Sequence, residues 1–523
     1  MSTKRHIRKM LILFCVLFAL LAVYLISAIS AYGTRWFVNP YNSRIQAQKG
    51  SVYAGRIMDR NGIVLAQTDD DGNRVYASDR SVRRATSHVV GDNYGQTFGA
   101  ETFYANYLLG FDQNVFERLA QAFSGEQRYG SSVALTVDAQ LCDYAYDVMD
   151  DYRGAIVVMN YKTGEILASV SQPTFDPKEM KSYLDGDTDF ADSAMVNRVT
   201  MGRYTPGSTF KIVTLIAALR YIPDIQTRTF ECGGPLVFDS KTGEYLPDVK
   251  ITAQEDQAAR EAAANATPTP ETTPTASPEG DMTDVGATPG IVEKYSVVRD
   301  YQSEYHGELT LLEAFEKSCN TTFARVAMEV GASRLKRVAR ELGVGEEFLF
   351  EDMVTYASYF EEADTDLDLA WSGVGQYKDL LTPLNLCMIT SAIANDGVMM
   401  EPKLLRMVIS TGNLATKTLA VKQHSNPLKA YEAQIVQDYM VGVVKKGTGT
   451  KAGISGYTVG GKTGTAEISG DKSVKTHAWF TGFVLDDDHP LAITVVLEKA
   501  GSGGNVAAPI AGKILKRALK LGY

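Results

Sequence analysis

Tyr204-Thr205-Pro206-Gly207-Ser208-Thr209-Phe210-Lys211 carries a Pro-Gly turn straight into an apolar stretch that lasts to Tyr221. A turn followed at once by helix-forming residues places Ser208 at a helix N-terminus. There, unpaired N–H groups and the helix dipole favour a developing alkoxide. Lys211 stands three residues on and shares the face of Ser208. A serine needs a base within hydrogen-bond reach to become a nucleophile, and a lysine whose pKa is depressed by burial can supply it. An N-cap serine beside a surface lysine fits the same residues about equally well. Ser-x-x-Lys also recurs at Ser333/Lys336 and Ser469/Lys472, and roughly one or two chance matches are expected in a chain this long. The first of these runs into Arg337 and Arg340 and reads as a solvated helix face; the second reads as a polar turn.

Two further patterns decide between these readings. Lys317-Ser318-Cys319-Asn320 falls inside a helix-forming stretch from Thr310 to Gly331, which opens with the capping-box spacing Thr310-Leu311-Leu312-Glu313. Ser318 can relay a proton and Asn320 can hydrogen-bond an amide. Gly460-Gly461-Lys462-Thr463-Gly464-Thr465-Ala466 reads as a strand whose small residues let a substrate backbone approach closely. Lys462 offers positive charge for a carboxylate, and Thr463 and Thr465 offer hydroxyls. Lys-Thr-Gly also occurs at Lys162 and Lys241, where the surroundings read as ordinary turns. In the order Ser208, Ser318, Lys462 the three patterns form the combination found in penicillin-binding proteins and β-lactamases.

Outward from these residues the chain reads as hairpins enclosing helices. Ala155–Met159 pairs with Glu165–Val170, and Ala478–Leu485 with Leu491–Glu498; helical patterns run over Thr209–Tyr221, Pro383–Asn395 and Asn505–Leu521. Strands at both ends with helices between predict an α+β domain whose sheet closes from both chain ends. With 523 residues the chain is long enough for more than one domain. Residues 1–9 are basic, and Met10 to Thr34 carries no charged side chain, which predicts a membrane anchor with its N-terminus inside. Ala28-Ile29-Ser30 also suits a signal-peptide cleavage site, but cleaved signals have shorter apolar cores, about 7–15 residues. Residues 35–130 are expected to form a small domain, opened by a hairpin turn at Asn61-Gly62, and residues 131–523 the main domain. Ala253–Gly290, built from Ala, Thr, Pro, Glu and Gly, is expected to be a disordered insertion. A formal net charge of −10 argues against nucleic acid as partner. Of five cysteines, Cys15 lies in the apolar segment. Cys142, Cys232, Cys319 and Cys387 show no CxxC spacing, so free buried thiols and no metal site are expected.

On these motifs the chain resembles a class B penicillin-binding protein of the small penicillin-binding protein A type. Gly55-Arg56-Ile57-Met58-Asp59-Arg60-Asn61-Gly62 is similar to the motif that opens the family's extracytoplasmic region. The family usually has Arg where this chain has Ala54, so a local salt bridge is expected to be missing. Leu135-Thr136-Val137-Asp138 and Ser171-Gln172-Pro173-Thr174-Phe175-Asp176-Pro177 resemble the start of the transpeptidase domain. Trp371-Ser372-Gly373-Val374-Gly375-Gln376, Thr382-Pro383-Leu384 and His477-Ala478-Trp479-Phe480-Thr481-Gly482 resemble its later parts.

The resemblance implies a transpeptidase/β-lactamase-like domain, an antiparallel sheet flanked by helices, behind a transmembrane helix and a small β-rich pedestal. It implies acyl transfer from the D-Ala-D-Ala end of peptidoglycan stem peptides, with β-lactams as covalent inhibitors and no metal or cofactor. Ser208 would be the nucleophile and Lys211 its base. Ser318 and Lys462 would pass a proton to the leaving amine, and Asn320 would orient the substrate amide. The N–H groups of Ser208 and Thr465 would form the oxyanion hole, and Thr463, Gly464 and Thr465 would hold the substrate. A SEDS-type membrane glycosyltransferase is the implied partner, since roughly 95 residues between the anchor and Ser131 are too few for a glycosyltransferase domain. The same motifs also suit a D,D-carboxypeptidase or a β-lactamase, although no glutamate motif for a hydrolytic water is evident. A β-lactam sensor or divisome scaffold is the non-enzymatic alternative. The nine residues before the anchor are too few for a signalling domain, and a scaffold has no need of Ser208, Lys211 and Lys462 together.

Overall fold

The computed structural model describes residues 2–37, 45, 49, 51–113, 123, 127–252, 254–258, 295–301, 304–469 and 473–523. Strands Val459–Ala466, His477–Val484, Leu491–Leu497, Gly154–Asn160 and Ile166–Gln172 lie side by side in that order as one antiparallel sheet. Both expected hairpins are present, and the sheet closes from the two ends of the domain. Leu491–Leu497 is buried along its whole length and Gly154–Asn160 along nearly all of it, so both faces are covered. Helices Ala139–Met149 and Ala508–Lys520 pack on one side, and Pro383–Ala394 and Ala430–Lys446 on the other. Helix Pro383–Ala394 is buried throughout. It starts where Thr382 Oγ1 accepts from the Asn385 N–H and where Pro383, at the first turn, has no N–H to leave unpaired. Its Thr390 hydroxyl lies 2.6 Å from that of Thr481, which is 2.7 Å from that of Thr494, so these buried hydroxyls satisfy one another.

A second sheet crosses the expected boundary between residues 130 and 131. Its order is Ala415–Thr418, Leu405–Ile409, Ser132–Leu135, Ile57–Met58, Val64–Thr68, Arg74–Tyr76. The Asn61-Gly62 turn is present, with Gly62 at φ 86°, and Asp59 ties it down by accepting from the N–H groups of Asn61 and Ile63 at 2.8 Å each. Beside Ala54, where a salt bridge was expected to be missing, Arg74 donates to the carbonyls of Ala54 and Gly55 and pairs with Glu101 at 2.7 Å. The pedestal is not only strand. Helix Arg80–Val90, capped by Asp79, buries Ala85, Val89 and Val90.

The expected single helix from Thr310 to Gly331 is two. Leu311–Glu316 begins with the capping box and stops at Lys317; Asn320–Val330 begins anew with Cys319 as its N-cap. Between them Ser318 adopts φ 61°. The Cys319 N–H reaches back to the Ala314 carbonyl at 2.8 Å, and the Ser318 N–H to that of Phe315 at 3.2 Å. This is a Schellman ending, a place where glycine is usual.

At the insertion, residues 254–258 are helical, and buried Asp256 pairs with Arg299 at 3.4 Å and accepts from the Tyr305 hydroxyl at 2.8 Å. The rest of Ala253–Gly290 lies outside the described residues. At the other end, helix Ser2–Phe37 contains the stretch His6–Ala28, with mean hydropathy 2.9 and exposed apolar side chains, long enough to cross a bilayer.

Candidate active site

The nucleophile turn is clamped to the sheet from several sides. Residues 207–210 form a 3₁₀ turn that continues as helix Lys211–Tyr221. Gly207, at φ 52°, donates its N–H to the Gly375 carbonyl at 2.9 Å. Just upstream, the Trp479 indole donates to the Thr205 carbonyl at 3.0 Å, and the Tyr204 hydroxyl donates to Glu498 at 2.9 Å. Glu498 also holds buried Arg198 at 2.9 Å. The Lys462 strand comes close because Gly464 has no side chain. A Cβ there would stand 2.8 Å from the Pro206 carbonyl and 2.9 Å from Thr209. The approach that requires this glycine is therefore made by the nucleophile turn rather than by a substrate backbone.

The expected catalytic residues converge. Lys211 Nζ lies 3.1 Å from Ser208 Oγ, 3.3 Å from Ser318 Oγ, 2.7 Å from Asn320 Oδ1 and 2.5 Å from the Ser318 carbonyl. Lys462 Nζ lies 2.8 Å from Ser318 Oγ and 3.2 Å from the Thr463 carbonyl. Ser318 Oγ thus sits between two lysines. The left-handed backbone at Ser318 makes this possible, because it turns both its carbonyl and its hydroxyl towards Lys211. Such a conformation costs about 1–3 kcal/mol in a non-glycine residue.

Both lysines are fully buried, whereas Ser208, Ser318, Asn320 and Thr465 are partly open to solvent. Burial lowers Lys211 to about 8, against smaller upward pulls from Asp300 and Cys319. Lys462 is held well below its ordinary value, first by burial and then by the charge of Lys211. Expected to offer charge to a carboxylate, the Lys462 amine is buried and faces Ser318 Oγ. The hydroxyls are placed unevenly. Thr463 Oγ1 is engaged at 2.6 Å with that of Thr448, and Thr465 Oγ1 accepts from the Gly503 N–H at 3.3 Å. The Lys462 strand is a sheet edge. The Thr465 carbonyl faces outward and accepts from Gln376 at 3.2 Å. In a strand the N–H of a residue shares the side of its carbonyl, so the Thr465 N–H also faces the side of the nucleophile turn.

The rival motifs lie elsewhere. Lys336 pairs with Glu362 at 3.1 Å, and Lys472 lies outside the described residues. Lys162-Thr163-Gly164 and Lys241-Thr242-Gly243 are turns capped by Asn160 and Asp239. Sequence reading missed Glu498, Arg198 and Asp300, which carry no local motif. Asp300 Oδ1 accepts the Asn320 N–H and so holds the residue whose side chain meets Lys211.

The family model "Penicillin binding protein transpeptidase domain" matches residues 154–221 and 281–516. The peptidoglycan D,D-transpeptidase PbpA of Mycolicibacterium smegmatis is 28% identical over 516 residues, covering 92% of each chain. Among solved structures, the D,D-transpeptidase domain of a peptidoglycan glycosyltransferase from Eggerthella lenta is 28% identical with a TM-score of 0.70, over 90% of this chain and 99% of that one. PBPA from Mycobacterium tuberculosis is 25% identical with a TM-score of 0.71, over 90% of this chain and all of the other. The family model takes in all three motif regions and more than half of the chain, and the chain belongs to the penicillin-binding protein transpeptidase family, among its class B members.

Proposed function

We propose that this protein is a serine D,D-transpeptidase that cross-links peptidoglycan stem peptides. The observation that carries the reading is the Lys211 amine, buried and lowered to about 8, within 3.1 Å of Ser208 Oγ. Neutral Lys211 takes the Ser208 proton as Oγ attacks the carbonyl carbon of the penultimate D-Ala. The N–H groups of Ser208 and Thr465 receive the oxyanion; one such donor typically contributes a factor of roughly 10² to 10³. As the C–N bond breaks, the proton passes to the leaving D-Ala amine along Lys211, Ser318 and Lys462. Asn320 orients the substrate amide, and the Thr463 and Thr465 hydroxyls, with Gly464 between them, face the terminal carboxylate. An acceptor amine from a neighbouring stem then attacks the ester, gives its proton back to the relay, and frees Ser208. A β-lactam acylates Ser208 by the same first step.

The His6–Ala28 stretch anchors the protein in the cytoplasmic membrane as a single span, N-terminus inside and catalytic domain outside, following its basic head. The pedestal, residues 35–130, stands between that anchor and the transpeptidase domain. A SEDS-type membrane glycosyltransferase supplies the glycan strands and docks on the span and the pedestal. The test is intact mass of the protein after incubation with benzylpenicillin, beside Ser208→Ala. A lasting penicilloyl adduct on Ser208, absent in the variant, is expected. Rapid turnover to penicilloic acid would make the protein a β-lactamase, and folded protein with neither adduct nor turnover would make it a scaffold.

A further inference from the structure

The side of the cleft that carries Ser318 holds a second cluster, and it is outside the acyl-transfer machinery. Cys232 ends strand Thr229–Cys232, and His306 immediately precedes its partner strand, Gly307–Thr310. Asp300 follows strand Tyr295–Val298, and Cys319 caps helix Asn320–Val330. One ligand-type atom from each of the four lies within 4.8 Å of every other. Cys232 Sγ is 3.1 Å from Asp300 Oδ2 and 3.5 Å from His306 Nδ1, and Cys319 Sγ is 3.4 Å from Asp300 Oδ2. A tetrahedral Zn²⁺ with bonds of about 2.0–2.3 Å has ligand–ligand edges of roughly 3.3–3.8 Å. The three distances lie within a few tenths of an ångström of those edges.

The surroundings fit a bound cation. Cys232, Cys319 and Asp300 are buried, and among the described residues Asp300 has no lysine or arginine within ion-pair distance, with Lys211 acting on it from farther off. A buried carboxylate normally needs a compensating charge, which a metal would supply. Backbone N–H groups already point at the sulfurs: that of His306 at Cys232, 3.3 Å away, and that of Thr322 at Cys319, 3.4 Å away. Thr321 Oγ1 donates to Asp300 Oδ2 at 3.1 Å. Such outer contacts orient metal ligands and stabilise thiolates. Two thiolates, an imidazole and a carboxylate suit Zn²⁺ in a closed, structural site.

We propose that Cys232, Asp300, His306 and Cys319 bind a structural Zn²⁺ that fixes the Ser318–Asn320 turn. The two-stranded sheets here are short, and such hairpins are marginal alone. A metal joins both sides of the inserted segment to the start of helix Asn320–Val330. Cys319 lies between Ser318 and Asn320, and Asp300 accepts the Asn320 N–H, so the four ligands are positioning residues for that wall.

The test uses full-length protein purified in detergent without chelator. Roughly one zinc per chain is expected by elemental analysis. Replacing it with Co²⁺ should produce thiolate-to-cobalt charge-transfer bands and the visible bands of a tetrahedral ion, and Cys232→Ser should weaken the charge-transfer bands. Chelation should slow benzylpenicillin acylation by roughly tenfold or more, with Zn²⁺ restoring it. Should the variant fail to fold, the wild-type Co²⁺ spectrum decides alone. Wild-type protein that takes up neither ion while both thiols alkylate freely would overturn the site, as would a Cys232–Cys319 disulfide, seen as a mass lower by two hydrogens. The adduct on Ser208 is read separately, so losing the metal leaves the acyl-transfer reading standing.

Discussion

The two walls that meet at Ser318 Oγ are built by different physics. The Lys462 wall is an edge strand of the main sheet, in register with His477–Val484 so that Lys462 faces Thr481 and Gly464 faces Trp479. Apolar residues bury it, and that burial keeps the Lys462 amine lowered. The Ser318 wall is a break between two short helices, held in a left-handed conformation by backbone hydrogen bonds, by Asp300 and by the cysteine cluster. A lysine that must be desolvated comes from the rigid apolar sheet. A hydroxyl that must be aimed comes from a strained turn, which specific polar contacts hold in place.

Removing the amine that the Ser318 wall holds against the nucleophile has the largest expected effect. Lys211→Met keeps the volume and packing of Lys211 but removes the amine that touches Ser208, Ser318 and Asn320. Benzylpenicillin acylation, followed by stopped flow, is expected to slow by roughly 10³- to 10⁴-fold, the upper range for a general base, while the protein stays folded. A rate within tenfold of wild type would remove Lys211 as the base.

The walls should fail differently when each is altered alone. In Gly464→Val the new side chain would strike the Pro206 carbonyl and Thr209. Acylation is expected to fall about 10²-fold through misplacement of Ser208, and stability by about 1–3 kcal/mol through overpacking. Ser318→Gly loses the relay hydroxyl, so acylation should fall by a similar factor, roughly 10². Glycine accepts φ 61° without steric cost, so its melting temperature should hold or rise. Thermal melts beside acylation rates separate the two cases. A Ser318→Gly protein that melts well below wild type would show that its side chain, rather than its backbone, holds the turn.

The same division explains what could be read from sequence. Ser208, Lys211 and Lys462 stood out because local context marks them: a Pro-Gly turn before an apolar helix, and a glycine-flanked Lys-Thr-Gly. The sheet was legible from its hairpins. The helix break was not, because Ser318 occupies a position where glycine would have been the signal, and the helical pattern runs on through it. Cys232, Asp300, His306 and Cys319 share no short spacing; strand pairing brings Cys232 beside residues that an insertion separates from it in sequence. Helix Arg80–Val90 did leave a trace, a cap at Asp79 and apolar Val82, Ala85, Val89 and Val90 at helical spacing, but its several arginines made the segment look merely polar. Arg198 and Glu498 pair across 300 positions, a contact that only tertiary structure creates.

The smallest expected effect concerns the order in which the two lysines lose their protons. Lys211 titrates near 8, facing Ser208, Ser318, Asn320 and Lys462, with Asp300 and Cys319 nearby. Only its neutral form can take the Ser208 proton, so acylation should rise about tenfold per pH unit below 8 and flatten above it. The stability sign agrees. The folded value lies below the ordinary lysine value, so between the two the unfolded chain holds a proton that the folded one has lost, and stability increases with pH across that window. Lys462 is lowered by burial and by the charge of Lys211, whereas no charge on Lys462 is among the causes that lower Lys211. Removing a neighbour that exerts no charge on Lys211 should move its midpoint little. Lys462→Met should therefore lower the acylation plateau but leave the midpoint of its pH profile unchanged. A midpoint that moves upward would mean that Lys462 is charged while Lys211 titrates, because an adjacent cation is what would have held it down. The sheet wall would then act through charge as well as through burial.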